Sequence, residues 1–331
     1  EPVIVEATTP RTSQDDSFAH IQGQETAKRA LIIAAAGGHN LLMTGTPGSG
    51  KTLLARSIVG ILPPLSLNEA IEVAKIQSSL GMLTGSVLEL TRPFCAPHHT
   101  SSPAALVGGG STIRPGQITM AHRGVLFLDE LPEFARNVLE ALRQPLEDGV
   151  VTVSRATSSH ILPARFMLVA AMNPCPCGNL GDTSALCTCT SGQILRYSKR
   201  ISGPLLDRLD MHIHVTREII SQSPQPVADM TAIRTQIQQA RQFQRQRLAP
   251  LSLETNSELS HRTLARFTRI APDANNLLTK AAQQHQLSMR TYHKIQKVAR
   301  TIADLDQSSD VRAVHIAEAL ALRIQNAKNA L

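Results

Sequence analysis

The run Gly45-Thr46-Pro47-Gly48-Ser49-Gly50-Lys51-Thr52 constrains this chain more than any other stretch, because it fits the phosphate-loop pattern G-x-x-x-x-G-K-[ST] and follows the strand-like segment Asn40–Thr44. Such a loop needs a strand before it and a helix after it, and Leu53–Val59 reads as that helix. Gly45, Gly48 and Gly50, with Pro47 and Ser49 between them, let backbone N–H groups turn onto phosphate oxygens. Lys51 then reaches the β- and γ-phosphates, and the Thr52 hydroxyl can ligate Mg²⁺ at the helix N-terminus. ATP and Mg²⁺ are the expected ligands.

Five further residues complete a hydrolysis site. Asp129-Glu130 follows the fully apolar run Val125–Leu128, a pattern suited to a central parallel strand. Asp129 at its end can hold Mg²⁺, and Glu130 is placed to polarise the attacking water, so hydrolysis is expected as well as binding. Asn173 ends the next apolar strand, Phe166–Ala171, where it can orient water or report phosphate loss, unless it only forms the turn before Pro174. Arg208, in Gly203–Asp210, has no evident path to the phosphate of its own chain and suits an arginine finger offered to a neighbouring subunit. Arg290, near the start of a C-terminal helix, can reach the γ-phosphate from the lid side.

The chain has 331 residues, 42% of them hydrophobic and 3% aromatic, which points to an Ala/Leu/Ile-rich α/β protein with room for two domains. No apolar run approaches the roughly 18 residues of a membrane span, so a cytoplasmic protein without a membrane partner is expected. The first residues, Glu1-Pro2-Val3, carry neither Met nor a signal segment, consistent with a piece of a longer protein. The formal charge is +7, and the whole excess lies beyond residue 218. That excess suits either a polyanion partner or a solvated helical surface.

Four of the five cysteines form two C-x-C pairs, Cys175/Cys177 and Cys187/Cys189. Without a secretory signal, a structural tetrahedral Zn²⁺ site is favoured over disulfides or free thiols, although the spacing is tighter than the usual C-x₂-C.

Organisation follows from composition breaks. Residues 1–19 read as a linker and 20–220 as the ATPase domain, with an irregular insertion at about 78–120, a hairpin at about 150–165 and a Cys-rich loop at 174–190. A helix is expected over Ala135–Leu146. Residues 221–331 read as helices only, over about 228–248, 260–270, 273–285, 288–304 and 311–328.

The strings Arg92–His99, Ala121–Glu133, Pro163–Phe166, Ala171–Gly178 and Ser202–Arg208 resemble AAA+ ATPases of the magnesium-chelatase-related branch, more narrowly the YifB/ComM group, over nearly the whole chain from Ile21 onward. The resemblance implies a three-layer αβα core with a parallel sheet, an all-α lid, homo-hexameric rings with ATP between subunits, and a motor acting on branched DNA. It makes Ile21–Gln24 the adenine pocket, Asn173 the first sensor, Arg208 the trans finger and Arg290 the second sensor. It also turns the insertion and the hairpin toward a ring pore, where Arg155 and His160 are the leading phosphate contacts and Arg114 and Arg123 weaker ones. His98 and His99, expected to point apart on a strand, suit hydrogen-bonded structural roles. Cys95 departs from the family string, in which arginine is usual. A metal-insertion ATPase subunit and a protein-remodelling chaperone are the alternative functions.

Overall fold

The structure is a computed structural model that describes residues 16–82, 88–109, 114–154, 159–182, 185–217 and 228–324. Among these are nine strands: β1 (Leu41–Gly45), β2 (Phe94–Cys95), β3 (Gly108–Gly109), β4 (Arg114–Pro115), β5 (Val125–Leu128), β6 (Val150–Ser154), β7 (Ser159–Pro163), β8 (Met167–Met172) and β9 (Met211–Val215). Five of them, β1, β2, β5, β8 and β9, form a parallel sheet with flanking helices, and a helical C-terminal region follows. The expected α/β class and strand-then-helix order are observed.

The chain divides into two compact units. The first comprises Pro64–Ala171 and Lys199–Arg208. In it β2, β5 and β8 pair in parallel, with Phe94 opposite Val125 and Val125 opposite Met167. All four residues of β5 are buried, because a strand covered on both faces reads as a continuous apolar run. The β6–β7 hairpin is antiparallel, from Val150 opposite Pro163 to Ser154 opposite Ser159. Its tip, including Arg155, lies outside the described residues.

Two expectations change here. The helix expected over Ala135–Leu146 is two helices, Arg136–Ala141 and Arg143–Asp148. Pro145 has no N–H to donate to the Ala141 carbonyl, so the ladder breaks between them. The insertion holds more structure than a strand among loops. Ser102 caps a short helix, Pro103–Val107, by accepting from the Ala105 N–H, and β3 pairs with β4.

The second unit comprises Asp16–Pro63, Met172–Ser198 and the residues from Leu209 onward. Here β1 pairs in parallel with β9, Leu41 opposite Met211. The helix Glu25–Gly37 buries Ala30, Leu31, Ile33 and Ala34–Ala36 and ends at left-handed Gly38, whose N–H reaches the Ala34 carbonyl. Residues 17–19, expected as linker, form with His20 a 3₁₀ turn that buries Phe18 completely.

The C-terminal helices are Met230–Leu248, His261–Thr268, Pro272–Gln284, Met289–Leu305 and Ala313–Ile324. Each starts within two residues of the expected position, because caps such as Asp229 and Ser288 mark the starts locally, and the first four end within two as well; the expected end of the last, at 328, lies outside the described residues. Their interior is partly polar. The Asp304 carboxylate accepts from Arg247 (2.7 Å twice), Arg300 (2.9 and 3.1 Å) and Asn256 (2.8 Å).

Candidate nucleotide site

In the second unit, β1 delivers the chain into the phosphate loop at Gly45, and the helix Lys51–Ser57 leaves it. Gly48 and Gly50 sit at φ 74° and 89°, left-handed backbone that a side chain would strain. Lys51 is buried, and its Nζ donates to the carbonyls of Gly45 (2.7 Å) and Thr46 (2.8 Å). It also lies 3.5 Å from Ser49 Oγ and 3.3 Å from Asn173 Oδ1. Lys51 and Asn173, 122 residues apart in sequence, are thus brought together by β1 and the end of β8. The Thr46 hydroxyl is buried and has no hydrogen-bond partner among the described residues. An orphaned donor beside a converging ammonium fits an anionic ligand such as a phosphate. Thr52 is exposed on the first turn of the helix.

Ile21 is buried just after the 3₁₀ turn, and Gln24, at φ 57°, donates its side-chain amide to the Thr216 carbonyl (2.5 Å) past the end of β9. Arg290 is exposed on the first turn of the helix Met289–Leu305. Asp210 was not singled out by sequence reading, yet it anchors this unit. It accepts from the Asn40 N–H (2.9 Å) and from Lys294 Nζ (2.5 Å). Burial opposes its charge, but Lys294 and His39 more than offset this and hold the carboxyl far below the usual range. No local pattern marks such a pair, because its members lie 84 residues apart.

In the first unit, Asp129 follows β5, and its Oδ1 accepts from the Glu130 N–H (2.9 Å). Glu130 has φ 52°, uncommon for a residue with a side chain, and a side chain 53% exposed. Strain of this kind persists where the surroundings impose it, and functional positions are where it clusters. Glu130 Oε2 lies 3.2 Å from His99 Nδ1. His98 and His99 do not point apart as expected: their rings lie 4.1 Å from each other, because they follow β2 in irregular backbone where strand alternation no longer holds. His98 meets the Thr100 hydroxyl at 2.8 Å, in keeping with a hydrogen-bonded role.

Arg208 is buried within its own unit. It pairs with Glu147 (2.5 Å) and donates to the carbonyls of Pro204 (2.7 Å) and Arg143 (3.2 Å). Arg123, expected as a weaker phosphate contact, donates to Glu72 (2.7 Å), and with His122 it pulls the Glu72 carboxyl down to about 2. Arg114 and His160 are exposed, on β4 and β7. Cys95 is buried in β2, so position 95 offers this chain no surface for DNA, and burial pushes its thiol up to about 11. Iodoacetamide at neutral pH is therefore expected to leave Cys95 unmodified in the folded chain and to modify it in urea. Peptide mapping by mass spectrometry checks this, and equal rates in both states would contradict the burial.

The four remaining cysteines converge. Cys175 is buried and lies 3.4 Å from Cys177 and 3.7 Å from Cys187, sulfur to sulfur. Cys177 and Cys187 are 3.6 Å apart, and all four sulfurs lie within 4.8 Å of one another. Backbone hydrogen bonds from Asn179 and Thr188 draw the Cys177 thiol down to about 5.

Comparison with known proteins gives two family matches. The family described as magnesium chelatase, subunit ChlI, matches residues 17–223, and its C-terminal counterpart matches residues 228–323. The chain is 45% identical to the competence protein ComM of Haemophilus influenzae over 308 residues, 92% of this chain and 59% of that protein. It is 40% identical to the protein YifB of Salmonella typhimurium over 327 residues, 97% of this chain and 63% of YifB. It is 30% identical to the magnesium-chelatase 67 kDa subunit of Chlorobaculum parvum over 162 residues, 48% of this chain and 23% of that subunit. The chain spans about six-tenths of the length of the first two.

Proposed function

We propose that this chain, which belongs to the magnesium chelatase subunit ChlI family, is the core of an ATP-hydrolysing motor that works on DNA as a homo-hexameric ring. The observation that carries the ATP part is the buried Lys51 ammonium, held among the loop carbonyls and within reach of Asn173, with the orphaned Thr46 hydroxyl beside it. On this reading, Lys51 exchanges carbonyl contacts for phosphate oxygens. Thr52 and Asp129 would each offer an oxygen to Mg²⁺, which when bound would neutralise phosphate charge. Glu130 orients the attacking water, and Asn173 reads the γ-phosphate position. Ile21 borders the base, and Arg290 approaches from the lid. Arg208 serves a neighbouring subunit, which requires its Glu147 pair to open in favour of phosphate.

Support for DNA as the track comes from the likeness to a competence protein and from the cationic excess of the C-terminal third. Arg155 and, on β7, His160 are the proposed contacts to the DNA backbone. The expected result is a hexamer with nucleotide, seen by mass photometry, and an ATPase stimulated about tenfold by branched DNA over DNA-free protein. An ATPase indifferent to single-stranded, duplex and four-way DNA would sink the DNA reading. The likeness to a magnesium-chelatase subunit favours a second reading, metal insertion with a partner enzyme, which predicts that indifference.

The same reading makes the cysteine quartet a structural zinc site. Zn–S bonds of about 2.3 Å in a tetrahedron set sulfurs about 3.8 Å apart. The observed 3.4–3.7 Å separations fit. Four reduced thiols also suit a cytoplasmic setting.

A further inference from the structure

We infer that metal occupancy of the Cys175/Cys177/Cys187/Cys189 cluster sets the affinity of the phosphate loop for nucleotide, a step that rests on reading the cluster as a zinc site. Two contacts join the cluster to the loop, both within the second unit. The first is covalent proximity: Asn173, 3.3 Å from the Lys51 ammonium, precedes the buried ligand Cys175 by two residues. The second is steric. Gly178 lies between the two cysteine pairs, and its N–H donates to the Cys175 carbonyl at 3.0 Å. It packs directly on Pro47 of the phosphate loop, where an added Cβ would come within 2.5 Å of Pro47 Cγ and 2.6 Å of Cδ. Gly178 also has φ +84°, so both its backbone and its neighbour exclude a side chain.

The segment that makes these contacts has little else to shape it. From Asn173 to Thr190 its described residues include no helix and no strand, only turns, bends and irregular backbone. Sheet or helix hydrogen bonds therefore do not hold Gly178 against Pro47. A cation bridging the two cysteine pairs would close the segment into a small ring and remove most of its conformational freedom. Phosphate binding needs the loop amides and Lys51 to converge before the ligand arrives, and rigidity supplied in advance raises affinity. The bridged segment acts as a brace on one side of the loop, through Pro47, and holds Asn173 on the other. The cation itself touches no phosphate.

The test measures zinc content by mass spectrometry of the metal and Mg²⁺-dependent binding of a fluorescent ATP analogue to the same purified chain. We expect about one zinc per chain. Stripping with a zinc-selective chelator should weaken analogue binding about tenfold, and added ZnCl₂ should restore it. Gly178→Ala should keep its zinc and bind more weakly. Pro47→Ala should bind with an affinity that no longer responds to zinc removal. A chain that retains zinc but binds equally well with and without it overturns the inference and leaves the zinc reading intact. A chain that takes up no zinc overturns both. Should stripping unfold the chain, seen by circular dichroism, the zinc-loaded Gly178→Ala protein decides: unchanged affinity refutes the brace.

Discussion

Glu130→Gln should leave nucleotide binding and ring assembly intact while lowering ATP turnover by about 10²- to 10⁴-fold, the range for loss of a general base. The substitution is well chosen for this chain. The carboxylate is half-exposed and carries no buried charge, so folding should be indifferent to it. Glutamine keeps the shape and the capacity to hydrogen-bond His99, but it cannot take a proton from water. Its left-handed backbone at φ 52° is no harder for glutamine than for glutamate. Equilibrium binding of an ATP analogue and steady-state phosphate release separate the two quantities. Turnover within about twofold of the parent would remove Glu130 from the reaction.

Asp304→Asn is expected to lower stability by about 3 kcal/mol, toward the lower end of the cost of breaking a buried ion pair. Asp304 is 2% exposed and faces the guanidinium groups of Arg247 and Arg300 together. Asparagine leaves both cations around a neutral amide, one of whose groups is itself a donor. The loss is tempered because Arg300 also donates to the carbonyls of Ser308 and Ser309, and because Arg247 keeps some contact with water. Urea unfolding followed by circular dichroism measures it. Replacing Arg300 and Asp304 together by leucine should recover part of the loss, since an apolar pair leaves one fewer charge stranded. A single-substitution change below about 1 kcal/mol would show that the cluster is not what holds the bundle.

Glu130 and Asp304 differ in how much of their surroundings lies nearby in the sequence. Glu130 is legible because a short apolar strand ending in Asp-Glu is a local pattern, and the backbone that results exposes the carboxylate. Asp304 is not legible. It sits in an ordinary helical sequence, and its partners Arg247 and Asn256 are 57 and 48 residues away. Arg208 shows the same limit in another form. Its motif suggests a residue presented outward, whereas packing buries it against Glu147 and two carbonyls. Arg123, a weaker phosphate contact on the sequence, lies on Glu72.

The order of the core strands and of the C-terminal helices, the phosphate loop, the acidic strand end and the two C-x-C pairs are all legible in the chain's letters, because each depends on residues within a few positions of one another. Periodicity, capping residues and glycine at left-handed backbone are local physics. Which groups meet follows from folding. Lys51 comes to Asn173, His99 to Glu130, Gly178 to Pro47 and Lys294 to Asp210, contacts that depend on how strands pair and helices pack. The phosphate loop was visible from its eight letters. What braces it was not, because a van der Waals contact between a glycine and a proline leaves no mark on the sequence until the chain has folded.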